Sequence, residues 1–143
     1  MPCNNDFMLE YNRVNYTGPR PKTEKEAFDA SIGKWTFIVN YLKENFDPEE
    51  PHANIPNDGG PHSCGLCMVY MADKNEFYSC DGCPIKQKTK RDWCQNTPYW
   101  KFWVHNSPTN TLISHLDAAK RELAFLKKLS KERKTKKAKR RKT

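Results

Sequence analysis

The chain has 143 residues, 36% of them apolar, with six cysteines, ten prolines and a formal net charge of +8. That length and apolar content suit one modest core rather than two, and no run approaches the roughly 18 to 20 apolar residues that cross a bilayer, so no membrane partner is expected. The opening stretch MPCNNDFMLEYNRVNYTG has no charged lead-in to an apolar run, so a cytoplasmic, reducing setting is expected, where stable disulfides are uncommon.

Residues 1–22 contain Pro2, Pro19 and Pro21 and no sustained periodicity. They read as an irregular arm packing locally through Phe7, Leu9 and Tyr11. At 23–26, TEKE fits a capping box, with the Thr23 hydroxyl accepting from the Glu26 amide and Glu26 reaching back to the amide of Thr23. Beyond it Phe28, Ile32, Trp35, Val39 and Leu42 recur at steps of four and three. The spacing predicts a helix over about 24–45 with these side chains in its core stripe. FDPEEPHANIPNDGGPH, at 46–62, carries four prolines and a Gly pair and reads as a linker or exposed loop.

A cysteine module follows at 63–104. Cys64 and Cys67, then Cys80 and Cys83, form two Cys-x-x-Cys pairs separated by MVYMADKNEFYS. Each pair supplies two ligands from one tight turn, and two pairs close a tetrahedral site around a short hairpin. Val69, Tyr70 and Met71 favour one strand, ADKNE a turn, and Phe77 and Tyr78 the return. The expected cofactor is Zn2+ on Cys64, Cys67, Cys80 and Cys83. Cys94 is a possible substitute for one of them, or else a buried small apolar side chain. His62 is a further possible ligand. An iron–sulfur cluster is the alternative, since Pro84 follows Cys83 as in ferredoxin-type runs and a fifth thiol is at hand. A redox-active or disulfide arrangement is the remaining one. Four thiolates leave zinc no open position, so a structural role is expected.

Between the last cysteines lies PIKQKTKR, with Lys86, Lys88, Lys90 and Arg91, followed by Trp93, Tyr99, Trp100, Phe102 and Trp103. Interleaved cations and rings suit single-stranded nucleic acid; alternatively YWKFWV is a buried strand. Pro108 suits the opening of a second helix over about 108–130, where Leu112, Leu116, Ala119, Leu123 and Leu126 resume the apolar stripe. From Lys131 to Thr143 nine Lys or Arg face one Glu, which accounts for the whole excess charge and leaves sixteen bases and sixteen acids before it. Lys136, Lys137, Lys139, Arg140, Arg141 and Lys142 are the candidate nucleic-acid contacts there, in a tail expected to be disordered. His105, Asn106, Asn110 and His115 lack the spacing of an HNH-type nuclease. No phosphate loop, nucleophile elbow or His-Glu-x-x-His is present.

SIGKWTFIVNYL, CGLCMVY, CDGCPI, Cys94, TPYW and AAKRELAFLKKL, in that order, resemble a layout recurrent among small uncharacterised cysteine-rich proteins of bacteriophages and metagenomes. The likeness covers about 24–130, with Lys90 after Thr89 where that layout has glycine. It implies a phage-like origin, hence a host cytoplasm, and a metal-binding fold, but no reaction. The expected architecture is α+β: a zinc-stabilised β-hairpin module between two packed amphipathic helices in a single body over 23–130, with a basic tail. The expected function is non-enzymatic nucleic-acid binding through tail and module. The alternatives are a protein that binds and modulates a host protein through its neutral body, and an iron–sulfur or thiol-dependent enzyme.

Overall fold

The computed structural model describes residues 6–50, 55–59, 63–70, 73–74, 77–78, 82–91, 94, 97–103 and 112–141. Within them the chain is α+β, in the order β1 (Phe7–Glu10), β2 (Arg13–Tyr16), α1 (Glu24–Glu44), α2 (Gly65–Tyr70), β3 (Asp73–Lys74), β4 (Phe77–Tyr78), α3 (Pro84–Thr89), α4 (Pro98–Trp103) and α5 (Leu112–Arg141).

The arm expected to be irregular is a hairpin over 7–16. β1 and β2 pair antiparallel, with Phe7 opposite Tyr16 and Leu9 opposite Val14, so period-two alternation puts these four on one face. The connecting Tyr11 and Asn12 have φ of 52° and 59°, the left-handed pair that matches the twist of two flanking strands in a two-residue turn. Part of the proline-rich segment docks here. Val14 donates to the Asn57 carbonyl at 2.8 Å and Asn57 donates to the Asn12 carbonyl at 2.8 Å, forming a parallel bridge from Asn57 to Arg13.

α1 follows the predicted stripe. The Thr23 hydroxyl accepts from the Glu26 amide at 3.1 Å, and the Glu26 carboxylate accepts the Thr23 hydroxyl hydrogen, where the capping box had it reaching the Thr23 amide. Phe28, Ile32, Trp35, Val39 and Leu42 are all buried. The helix is closed by Asn45, whose amide and side chain both donate to the Tyr41 carbonyl.

α1 packs against α2 and α5, and α4 packs on α5. A Cβ on Gly65 would lie 2.5 Å from the Ala27 carbonyl oxygen and 2.6 Å from the Ala30 Cβ, so only glycine lets α2 approach α1 this closely. Val69 and Tyr70, expected in a strand, belong to α2, Met71 lies outside the described residues, and the described part of the hairpin pairs Asp73–Lys74 with Phe77–Tyr78. The aromatic segment expected as a buried strand is α4, and PIKQKT forms α3.

The basic tail departs most from expectation, because α5 continues as one helix to Arg141. Where its apolar face ends, polar contacts take over. Arg133 forms an ion pair with Glu24 at 2.7 Å and donates to Gln87 at 2.7 Å, while Glu132 pairs with Lys88 at 3.2 Å. Lys, Arg and Ala also have high helix propensity, and cations favour the carbonyl end of the helix dipole. Pro108 lies outside the described residues. Among those described, no helix is long and apolar enough to cross a membrane.

Candidate metal centre and nucleic-acid interface

Cys64 stands immediately before α2 and Cys67 lies in its first turn, so the Gly-Leu step between them winds both thiols toward one side. The Cys67 amide approaches the Cys64 sulfur at 3.4 Å. The Ser31 hydroxyl accepts from the Leu66 amide at 3.0 Å and lies 3.9 Å from the Cys64 sulfur. Hydrogen bonding from Cys67 holds the Cys64 thiol down to about 6 against the opposing effect of burial, with the Lys34 ammonium assisting. Cys67 is pushed well up, first by its hydrogen bond to Cys64, then by burial and by the nearness of Cys94 and Cys83.

Cys83 is buried and precedes Pro84 at the start of α3. Cys94 sits in the left-handed region at φ 59°, and its carbonyl accepts from the Thr97 hydroxyl at 2.6 Å. Cys67, Cys83 and Cys94 line one cavity of about 20 Å3, together with Leu66, Ile85, Lys86 and Arg91. Cys80 and His62 lie outside the described residues. Among those described, no three Cys, His, Asp or Glu side chains are drawn together as a ready-made metal site.

Against the Cys64 side of the thiols lies a buried polar network that sequence reasoning missed. Lys34 and Asp58, whose side chains are 2% and 6% exposed, form an ion pair at 3.3 Å. The Tyr99 hydroxyl donates to Asp58, and burial followed by that carboxylate's charge pushes the phenol's pKa up. The Tyr99 amide donates to Glu122 at 2.7 Å. Burial nonetheless raises the Glu122 carboxyl to about 7. Trp35 receives Tyr99 and Phe102 edge-on, with ring centroids 5.7 and 5.2 Å away, and His115 packs edge-on against Phe102. His115 is therefore a core side chain. A signal existed: Lys34 falls on the spacing of Ala27, Ser31, Ile38 and Leu42, and Glu122 on that of Ala118 and Leu126. Each is a charge in an apolar register.

The candidate nucleic-acid residues divide. Lys88 is engaged with Glu132, Lys86 and Arg91 line the thiol cavity, and Lys90 is exposed as the left-handed cap of α3 at φ 62°. Lys136 is exposed on α5. Lys137, Lys139, Arg140 and Arg141 belong to the same helix, while Lys142 lies outside the described residues. Tyr99 and Phe102, which the sequence left open between base stacking and core packing, are taken up in the core around Trp35; the side chains of Trp93, Trp100 and Trp103 lie outside the described residues. Six further exposed cations lie on α5 among the described residues: Lys120, Arg121, Lys127, Lys128, Lys131 and Lys134. Neither a protein-family model, nor a curated protein, nor a solved structure matches the chain.

Proposed function

We propose that this chain is a non-enzymatic, zinc-stabilised accessory protein that binds duplex nucleic acid along the exposed face of α5 and the adjoining end of α3. The carrying observation is the junction between two basic segments distant in sequence: Lys88 with Glu132 and Gln87 with Arg133 hold α3 against α5. Lys90 and Arg91, both exposed, thereby join the cationic helix.

On α5 itself Lys120, Lys127, Lys131 and Lys134 follow steps of seven, four and three, one face of a 3.6-residue helix. At 1.5 Å per residue that face extends about 21 Å. A rigid row of this kind suits the regularly spaced phosphates of a duplex, where affinity comes from released counterions. Single-strand binding draws on exposed rings for base stacking; of the rings that the sequence offers for it, Tyr99 and Phe102 are packed against Trp35, and the side chains of Trp93, Trp100 and Trp103 lie outside the described residues.

The test is fluorescence anisotropy of a labelled DNA duplex against salt, using the full chain and a variant with Lys120, Lys127, Lys131 and Lys134 changed to Gln. The full chain should bind, and the variant's slope of log affinity against log salt should be shallower by about 3 to 4, near 0.9 for each phosphate that is no longer neutralised. A full chain that leaves the duplex free at about 50 mM salt, or an unchanged slope in the variant, rules this function out.

A further inference from the structure

We infer that the duplex is B-form DNA and that α5 lies along its major groove, a step that rests on the function proposed above and names the partner. The exposed arc of the helix is organised in three lanes. Lys120, Lys127 and Lys134, seven residues apart, form the first. Arg121, Lys128 and Thr135, each one residue on, form another about 100° farther round the helix. Asp117, Ala124 and Lys131 lie between the two. All of these positions are exposed, whereas Ala118, Ala119, Glu122, Leu126 and Leu129 are buried on the side that packs on α1 and α4.

Cations therefore occupy both shoulders of the free arc rather than a single ridge. The acid in the middle lane, Asp117, is already paired with Arg121 at 3.0 Å. Glu132, four residues beyond Lys128, holds Lys88 at 3.2 Å, and so brings the exposed Lys90 and Arg91 to the same shoulder. A helix resting on the outside of one strand would use one shoulder and leave the other idle.

The dimensions select the groove. A helix with its side chains is about 10 to 12 Å across, which the B-form major groove, about 12 Å wide, admits and the minor groove, about 6 Å wide, does not. In A-form RNA the major groove is deep and narrow and closed to such entry. With the middle lane toward the groove floor, the two shoulders face the phosphates of opposite strands. Ala124 carries only a methyl there, so the backbone of α5 can come close to the base edges, and Lys131 supplies a donor for guanine O6 and N7. From Asp117 to Thr135 the lanes run about 27 Å at 1.5 Å per residue, the length of about eight base pairs at 3.4 Å each.

The experiment uses the wild-type full chain with a DNA duplex of about two helical turns, roughly 20 base pairs, and an RNA duplex of the same sequence. Fluorescence anisotropy at matched salt should show the DNA bound at least about 10-fold more tightly, because the A-form groove excludes the helix. Dimethyl sulfate then reports the groove, since guanine N7 lies in the major groove and adenine N3 in the minor one. At saturation the chain should suppress methylation at guanine N7 and leave adenine N3 reactive. Lys128→Gln, an exposed substitution on the second shoulder, should make the slope of log affinity against log salt shallower by about 0.9. Equal affinity for RNA, protection of N3 with N7 open, or an unchanged slope in Lys128→Gln overturns the major-groove placement and leaves duplex binding standing. A chain that binds neither duplex overturns the function on which the placement rests.

Discussion

Glu122 is 2% exposed and accepts the Tyr99 amide, an interaction that favours the carboxylate, yet burial dominates and lifts its pKa from 4.5 to about 7. An acid raised on folding binds a proton in the native state that the unfolded chain has released. Native stability should therefore fall as pH rises from 4.5 to about 7 and level off above that, where the carboxylate is ionised in both states. At about 1.4 kcal/mol per pH unit the loss is on the order of 3 kcal/mol. Glu122→Gln keeps an oxygen for the Tyr99 amide and carries no proton to lose. Urea unfolding of the full chain at a series of pH values should show this decline in the wild type and a shallower profile in the variant. Parallel profiles would mean that Glu122 is not the group responsible.

At the scale of elements, close packing at one glycine ties the thiols to the helical core. Gly65→Ala would set a methyl against the Ala27 carbonyl and the Ala30 side chain of α1. Neither can swing away without moving the helix, so a cost of about 1 to 3 kcal/mol is expected from overpacking, together with weaker zinc retention as α2 moves off. Thermal unfolding and metal titration of the same variant check this, and wild-type values in both would show that α1 and α2 separate freely. α1 was legible in the sequence because its apolar residues keep one period for 21 residues and a cap marks its start. The β1–β2 hairpin was not, since its strands have four residues each and its turn is Tyr-Asn rather than a glycine-bearing pair. Val69 and Tyr70 have strand propensity, but the backbone that turns at Cys64 continues directly into helix, with the Met68 amide bonding to the Cys64 carbonyl. The continuation of α5 past its apolar face is anchored at Glu132 and Arg133 by Lys88–Glu132 and Arg133–Glu24, pairings between residues 44 and 109 positions apart that no local pattern announces. At the site, the Cys-x-x-Cys spacing marked the thiols, whereas the nearness of Cys94 to Cys67 depends on where α3 and α4 pack.

For the whole molecule, the core decides how loss of a metal from the proposed thiol site would be felt. Leu66, Cys83 and Ile85 of the thiol module belong to the same hydrophobic cluster as Trp35, Ile38 and Leu42 of α1 and Leu126 and Leu129 of α5. A module sharing its core with the long helices cannot come apart without exposing part of their packed faces. If the thiols hold zinc as proposed, and only in the folded chain, the metal should stabilise the entire body by mass action, about 4 kcal/mol at a thousandfold excess over the dissociation constant. Adding a chelator to the full chain should therefore shift one cooperative urea transition to lower denaturant, with helical circular dichroism and tryptophan fluorescence moving together. If α1 and α5 were instead an independent pair with the module merely attached, the chelator would leave the helical transition in place and produce a separate, earlier change in the module. Coincident curves mean that the metal reaches the neutral body and the basic helix through one core. In that case zinc removal should also lower duplex affinity, by loosening the α3–α5 junction that joins Lys90 and Arg91 to the cations of α5.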